Sequence, residues 1–221
     1  MNLLIACVLI FLPQRIKRIC YRKIFGYELD GTSRIGFSLL MAENLSMACH
    51  SKIGHLNIIK GVSQVSLGRS ASIGNLNWIS GFPISNAAHF AEQEKRFPAL
   101  LLGEHAAITN RHLIDCTDAV SIGRFSTFAG FRSQILTHSI SIADARQRSG
   151  PVDIGEFTFI GTATVILPNS RLPSFSVLAA GAVLNKGYIE EYQLYAGNPA
   201  RPVKKLDRDA AYFNRKNGYV I

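Results

Sequence analysis

The sequence predicts an all-β solenoid, in which short parallel strands coil around one core and short helices stand at both ends. Aliphatic residues recur every six positions, and a small residue recurs four positions after most of them. A period of six fits neither an α-helix, with 3.6 residues per turn, nor one long alternating strand. The chain has 221 residues, of which 48% are hydrophobic and 18% charged, which suits one sizeable core.

The N-terminal segment, residues 1–45, is predicted to form a helical cap. An apolar run of ten residues, Leu3 to Leu12, is followed by five basic residues. The run is shorter than the roughly 20 residues that cross a bilayer, and its charges follow the run instead of preceding it as in a signal peptide. Two interpretations stay open, a helix lying on an anionic cytoplasmic membrane surface or an amphipathic helix that closes the solenoid.

The solenoid itself is predicted for residues 46–206, followed by a C-terminal tail, residues 207–221. Its most regular inward positions are Ile154, Ile160, Ile166, Leu172, Leu178 and Leu184. The same spacing joins Leu102, Ile108 and Ile114. Six residues suit one short strand and one turn, so three units close a triangular coil of about 18 residues, whose aliphatic side chains stack at about 4.8 Å.

Two stretches break this period, residues 85–101 and residues 139–151, and both are predicted to be loops inserted between coils. Loops on a rigid scaffold are where binding groups gather. Counting on by six from Phe128 makes Gln134, a poor core residue, the next inward position. His138 therefore lies where the coil leaves its regular path. Its ring is expected to project into a groove, where a neutral imidazole accepts a proton from a hydroxyl near pH 7.

A general base works better when a carboxylate orients its other ring nitrogen. Two carboxylates are candidates, because an offset of 20 between successive coils stacks Asp118 beneath position 138 and Asp115 beneath Ile135. A backbone carbonyl is the third possibility.

Charge and cysteine content exclude several functions. The net charge is +9, but residues 1–36 and 201–221 supply +8 of it, and the middle is nearly neutral. No basic stripe with aromatic platforms is present, so we expect no nucleic-acid partner. The four cysteines form no Cys-x-x-Cys pair, which argues against a disulfide framework or a zinc ribbon and favours a reducing cytoplasm.

The repeat, aliphatic-Gly-x-x-small-x, resembles that of the hexapeptide-repeat acyltransferases. LYAGNPARPVKKL (194–206) is similar to the segment that closes their last coil, and FLPQRIKRICYRKIFGY, IGHLNIIKG and SQILTHSISI look most like sugar O-acetyltransferases of surface-polysaccharide synthesis. The resemblance implies a left-handed parallel β-helix and a homotrimer. It also implies acetyl transfer from acetyl-CoA to a sugar hydroxyl of a glycan acceptor, with His138 as the base and Asp115 as its orienting partner.

The same resemblance suggests where the two substrates bind. The pantetheine arm of acetyl-CoA is expected to lie beside four small residues, Gly161, Ala163, Ala180 and Gly181. Arg201 and Lys204 follow the last coil and are candidates for the coenzyme phosphates. Trp78, the single tryptophan, and His112 are candidates for contacting the acceptor.

Two other functions remain possible on this fold. His50 and His55 have the His-x4-His spacing of the γ-class carbonic anhydrases, but no third histidine lies at the matching distance upstream, so no metal is expected. A solenoid without catalytic activity, used for assembly, is the second alternative.

Overall fold

The computed structural model describes residues 3–85, 89–90, 92–93 and 95–220. It opens with two helices, α1 (Leu3–Leu9) and α2 (Gln14–Phe25), and α2 ends at Gly26 in the left-handed conformation, with φ 70°. The buried Lys17 of α2 donates from Nζ to the carbonyls of Ile35 and Gly36. The helices therefore cover the open end of the first coil.

The strands are short and follow one another around a triangular prism. The first four coils contain β1 (Glu28–Leu29), β2 (Arg34–Ile35), β3 (Leu39–Met41), β4 (Asn44–Met47), β5 (Lys52–Ile53), β6 (Ile58–Lys60), β7 (Gln64–Leu67), β8 (Ser72–Ile73), β9 (Trp78–Ser80), β10 (Ala99–Leu102), β11 (Ala107–Ile108) and β12 (Leu113–Asp115). The remaining strands are β13 (Val120–Ile122), β14 (Thr127–Phe128), β15 (Gln134–Ile135), β16 (His138–Ser141), β17 (Arg146–Ser149), β18 (Val152–Ile154), β19 (Phe159–Ile160), β20 (Val165–Ile166), β21 (Arg171–Leu172), β22 (Val177–Leu178), β23 (Val183–Leu184), β24 (Gln193–Ala196) and β25 (Arg201–Lys205).

Up to β15 every third strand joins the same sheet, and three sheets form the faces of the prism. The first sheet has the order β1-β4-β7-β10-β13-β18-β21, the second β2-β5-β8-β11-β14-β19-β22-β24-β25, and the third β23-β20-β15-β12-β9-β6-β3. All pairings within them are parallel except that of β25 with β24. The predicted second loop is an antiparallel hairpin of β16 and β17 that projects from the prism.

The core is a stack of mainly aliphatic side chains that the parallel strands of the three sheets supply. In the second sheet, for example, Ile53, Ile73 and Ile108 are in register and each is at most 2% exposed. Burying such a side chain contributes about 1.5–3 kcal/mol. The predicted six-residue period is confirmed over residues 154–184, where each period supplies one strand and one inward residue.

The corners of the prism are tight, and non-glycine residues there adopt left-handed backbone angles. Phe125, Phe157 and Phe175, between the first and second sheets, have φ of 56°, 52° and 55°. Such angles cost roughly 1 kcal/mol each. Stacking offsets this cost, because the ring centroids of Phe125 and Phe157 are 4.8 Å apart and those of Phe157 and Phe175 are 5.4 Å apart.

Three sequence-based expectations differ from the structure. The coils begin at Glu28, within the segment assigned to the cap. The sequence did not reveal this first coil because its inward residues Ile35 and Leu40 are five positions apart and break the six-residue period. The inward residue after Phe128 is Ile135 and not Gln134, since one extra residue enters at the corner beside Gly130, with φ 71°.

The third difference concerns the C-terminus, where a short helix was expected. In the described part of the tail, residues 207–220, turns replace it. Individual side chains of the tail hold it against the prism. The Tyr212 hydroxyl donates to the Thr158 carbonyl at 2.8 Å, and Phe213 packs edge-on against Phe175 and Tyr192.

Candidate active site

His138 and Asp115 form a hydrogen-bonded pair at the corner between the third and first sheets. Asp115 is the last residue of β12, and His138 is the first residue of the projecting hairpin. The distance from His138 Nδ1 to Asp115 Oδ2 is 2.7 Å. An ionised carboxylate only accepts hydrogen bonds, so Nδ1 carries the proton and the neutral ring presents Nε2 as an acceptor.

Asp115 is held rigidly by four other donors. Its Oδ1 accepts from the backbone N–H and hydroxyl of Thr117 at 3.1 and 2.6 Å, and its Oδ2 accepts from the same two groups of Thr137, both at 2.8 Å. Burial alone would raise the pKa of Asp115, but the hydrogen bonds from His138 and Thr117 outweigh it and lower the pKa below its usual value. The carboxylate therefore stays ionised.

The imidazole is partly exposed and electrostatically coupled to its partner. The side chain of His138 is 28% exposed, and its Nε2 has no hydrogen-bond partner among the described residues. The hydrogen bond that His138 donates to Asp115 raises the pKa of His138, while burial and the positive charge of Arg96 act in the opposite direction. The site therefore combines an oriented imidazole with an open acceptor nitrogen, which can take a proton from a hydroxyl.

Asp118, the rival partner, does not contact His138. The offset of 20 between coils holds in the second sheet, but in the third sheet Ile114 pairs with Ile135, an offset of 21. Asp118 accepts hydrogen bonds from Phe97 N at 3.2 Å and from Ser149 Oγ at 2.9 Å. It ties the first inserted loop to the base of the hairpin.

Two aromatic rings, which the sequence did not suggest, form a wall beside His138. The ring of Phe82 lies 5.4 Å from the imidazole at 88°, and that of Phe90 lies 6.2 Å away at 82°. Both belong to residues 81–98, which connect β9 with β10 and correspond to the first predicted loop. They cover one side of the base with apolar surface.

Arg96 holds this wall in place. Its guanidinium donates to the backbone carbonyls of Phe82, Pro83 and Thr117 and lies 4.5 Å from the centroid of the Phe90 ring. The side chain is buried, and burial lowers the pKa of Arg96. A basic residue next to phenylalanine in a polar loop gives no signal of such a role in the sequence.

Replacing Arg96 with alanine should therefore loosen the loop and change the titration of His138. Three carbonyls lose their donor, so we expect the free energy of unfolding to fall by about 3 kcal/mol. The pKa of His138 should rise, because the positive charge of Arg96 is removed and the loosened loop leaves the imidazole less buried. Denaturation and an NMR titration of the imidazole measure both effects. Lys95→Ala is the matched control, and equal results for the two variants would contradict the anchoring role.

His112 does not reach this site, so the prediction that it binds an acceptor is wrong. The ring is 1% exposed and packs edge-on against Phe128. Its Nδ1 accepts from Ser133 N at 3.3 Å, and its Nε2 lies 3.0 Å from the Thr109 hydroxyl. Burial lowers the pKa of His112 to about 4, which keeps the ring neutral as a structural part of a corner.

Trp78 is on the outer face of the third sheet, the sheet that also carries Asp115. It is 41% exposed, pairs in register with Leu113 and lies beneath Lys60 Nζ at 5.0 Å. The ring is thus available for contact, and acceptor binding by Trp78 stays a prediction.

The residues assigned to the coenzyme occupy two places. Gly161, Ala163, Ala180 and Gly181 lie at the corner between the second and third sheets, on the opposite side of the third sheet from His138. Arg201 and Lys204 are exposed on β25, which closes the C-terminal end of the second sheet. Their contact with coenzyme stays a prediction. Among the described residues, no group of three or more His, Cys, Asp or Glu side chains could hold a metal ion.

Comparison with known proteins supports the fold over most of the chain. No family model matches the sequence. A hexapeptide transferase family protein from Anaplasma phagocytophilum is 19% identical, covers 85% of each chain and has a TM-score of 0.50. A polysialic acid O-acetyltransferase is 18% identical over 81% of this chain and 84% of its own, with a TM-score of 0.53. The predicted left-handed parallel β-helix is confirmed.

A third solved structure was determined with two ligands. It is an N-acyltransferase from Bacillus cereus in complex with dTDP-4-amino-4,6-dideoxyglucose and coenzyme A, 15% identical over 80% of this chain and 88% of its own, with a TM-score of 0.55. At these identities the three likenesses establish the fold alone.

Sequence relatives match a smaller part of the chain. A Staphylococcus aureus protein named as an acetyltransferase is 36% identical over 63 residues, which are 28% of this chain and 31% of the relative. A chloramphenicol acetyltransferase from Klebsiella aerogenes is 30% identical over 84 residues, 38% of this chain and 40% of its own. The chain thus matches less than half the length of these relatives.

Proposed function

We propose that the protein is an O-acetyltransferase that moves the acetyl group of acetyl-CoA to a sugar hydroxyl of a surface polysaccharide or its precursor. The observation that carries the proposal is the 2.7 Å contact between His138 and Asp115, which leaves Nε2 open at the rim of the prism. The acetyltransferase names of the matched sequences, and the sugar and coenzyme ligands of one similar structure, support the substrate classes.

The chemistry that this geometry can perform is direct transfer. His138 Nε2 takes the proton of the acceptor hydroxyl as its oxygen bonds to the thioester carbonyl carbon. The tetrahedral intermediate then expels the coenzyme thiolate, and protonated His138 returns the proton to it, which gives the thiol and restores the neutral imidazole. The thiol nearest in sequence to the pair, Cys116, is fully buried and burial raises its pKa, so it is a poor nucleophile. This favours a ternary complex over an acyl-enzyme.

The two substrates should approach His138 along the third sheet. Gly161, Ala163, Ala180 and Gly181 lie at the edge of that sheet opposite His138, and Arg201 and Lys204 lie on β25 of the second sheet. The width of the third sheet therefore separates the predicted coenzyme residues from His138. An extended pantetheine arm, or a neighbouring copy of the chain in a homotrimer, closes this distance. Exposed apolar residues in register, Trp78 at 41% and Leu113 at 51%, support a trimer contact on this face.

Calorimetric titration with acetyl-CoA, combined with a screen of nucleotide sugars and lipid-linked glycans as acceptors, tests the proposal. We expect saturable acetyl-CoA binding and an acetylated sugar product from at least one acceptor. Absence of coenzyme binding and turnover would favour the assembly solenoid. Bound zinc at one ion per subunit would instead favour the metalloenzyme related to the γ-class carbonic anhydrases.

The N-terminal helices are the proposed contact with an anionic membrane surface, where lipid-linked acceptors reside. Neither helix in the described residues is long and apolar enough to span a bilayer. Several apolar side chains of this segment face outward, among them Val8 in α1 at 65% exposure and Phe11, between the two helices, at 77%. The sequence from Leu3 to Phe25 contains five basic residues and no acidic one, which complements anionic lipid.

Binding to vesicles should therefore depend on the outward apolar residues of this segment. In the double variant Val8→Ser and Phe11→Ser, we expect the partition coefficient onto anionic vesicles to fall at least about tenfold, because burial of two apolar side chains is lost. Co-sedimentation measures the partition coefficient. Ile189→Ser with Val203→Ser removes exposed apolar residues elsewhere and is the control. Wild-type protein that stays in the supernatant would contradict the proposed contact.

A further inference from the structure

A large cavity lies on the outer face of the second sheet, away from His138. Its volume is about 1080 Å³, and three parts of the chain enclose it: α2, strands of the second sheet and the C-terminal tail. Its floor is a row of outward side chains in register across neighbouring strands: Arg34, Lys52, Ser72, Ala107, Thr127 and Phe159. Neither His138 nor Asp115 lines this cavity.

One end of the cavity concentrates positive charge. Arg34 and Lys52 are exposed on adjacent strands and in direct register, an arrangement in which like charges destabilise a sheet. Arg15 and Arg18, three residues apart on α2, line the facing wall. Among the described residues, Arg15, Arg34 and Lys52 have no side-chain hydrogen bond or ion pair that would explain the cluster.

No carboxylate among the described residues lines this part of the cavity, so none of these residues neutralises the charge. The lining residues include no Asp or Glu. Asp30, next to the lining in the chain, accepts from Thr32 N and Oγ1 at 2.8 and 2.6 Å. Glu104 accepts from Arg69 Nε at 2.8 Å. An anionic ligand would offset the repulsion that the protein itself leaves.

The other end of the cavity is apolar and aromatic. Ser72, Ala107 and Thr127 are short and leave space along the floor, and Phe159 meets Tyr212 edge-on with ring centroids 6.0 Å apart. Lys52 and Phe159 are separated by four strand spacings, or about 19 Å at about 4.8 Å each. The cavity therefore suits an extended ligand that is anionic at one end and apolar or planar at the other.

We propose that this cavity is a second binding site, distinct from the His138 centre, for a ligand that carries a diphosphate group. Arg34, Lys52 and Arg15 bind the diphosphate by charge-assisted hydrogen bonds, and Phe159 and Tyr212 contact its other end. A nucleoside diphosphate and a lipid diphosphate share this chemistry. The inference goes beyond the proposed acetyl transfer, and it assigns acetyl-CoA, which also carries a diphosphate, to the separate site beside His138.

Calorimetry with inorganic pyrophosphate tests the site on the full chain. We expect saturable binding to the wild type and at least about tenfold weaker binding to the double variant Arg34→Gln and Lys52→Gln, because two charge-assisted contacts are lost. Arg171→Gln with Lys186→Gln removes the same charge from outside the cavity and should leave binding unchanged. Equal affinities for the wild type and the Arg34/Lys52 variant, or no saturable binding, would overturn the proposal.

Thermal unfolding gives a second readout that does not depend on acetyl transfer. Without ligand, the Arg34/Lys52 variant should unfold at a higher temperature than the wild type, since the repulsion is removed. Pyrophosphate should raise the unfolding temperature of the wild type and of the control but not of this variant. A variant that is less stable without ligand would show that the two cations serve the fold, which contradicts the proposal.

Titrations with a nucleoside diphosphate, a short-chain isoprenyl diphosphate and acetyl-CoA identify the ligand class. Tighter binding of either diphosphate than of pyrophosphate, lost in the Arg34/Lys52 variant, supports the site and identifies the rest of the ligand. Loss of acetyl-CoA binding in this variant would overturn the claim of a second site. Because binding is measured without turnover, failure here leaves the proposed acetyl transfer standing.

Discussion

His138→Ala is expected to lower kcat for acetyl transfer by about 10² to 10⁴-fold while acetyl-CoA still binds. The imidazole touches the reacting hydroxyl in the proposed mechanism, and no described side chain next to its Nε2 can replace it. Its 28% exposure and position at the start of the hairpin mean that the truncation leaves the core of the prism intact. The rate at which the coenzyme thiol is released at a saturating acceptor concentration measures kcat.

His55→Ala is the matched control, because His55 is an exposed corner histidine of another coil. It should retain wild-type kcat. If His138→Ala also retains it, the assignment of the base is wrong. Rescue of the His138 variant by added imidazole, without a change in unfolding temperature, would show that the loss is chemical and not structural.

Asp115→Asn is expected to lower kcat by at least about a hundredfold, since an amide fails to hold the ring in the productive tautomer. In the wild type, each carboxylate oxygen of Asp115 accepts from two or more donors. In either orientation the new NH₂ group faces donors. If it faces His138, it donates to Nδ1, the ring proton moves to Nε2, and the base is lost.

The pH profile separates this effect from simple unfolding. Only neutral His138 is a base, so kcat/KM rises as pH passes through its folded-state pKa. Asp115 raises that pKa by its hydrogen bond, and Asn removes the effect. The residual activity of Asp115→Asn should therefore have its acidic limb at lower pH than the wild type. Asp118→Asn is the control, and a limb that does not move in the Asp115 variant would contradict the coupling.

The prism was predictable because its repeat is carried by the residues that form the core. Ile154 to Leu184 keep the six-residue spacing without interruption, and each of these residues is buried. The first coil was not predicted because the spacing of its inward residues changes from six to five between Leu29 and Leu40. Periodicity also says nothing about the C-terminal tail, which single aromatic contacts hold in place.

The site was predictable in part. The break of the period located His138, and the resemblance singled out Asp115, whereas the coil offset favoured Asp118 because the extra residue beside Gly130 was not recognised. The pattern Asp-x-Thr at Asp115 to Thr117, a turn in which a side chain caps its own backbone, was an available signal for a rigid carboxylate. Phe82, Phe90 and Arg96 had none, because an irregular loop brings them to the base by tertiary contacts.

A crystal structure of the protein with acetyl-CoA and its sugar acceptor tests the central claim most directly. The acceptor hydroxyl should lie about 3 Å from His138 Nε2, with the thioester carbonyl carbon about 3–3.5 Å from the hydroxyl oxygen. A thioester bound away from His138, or seated in the cavity of the second sheet, would contradict the account.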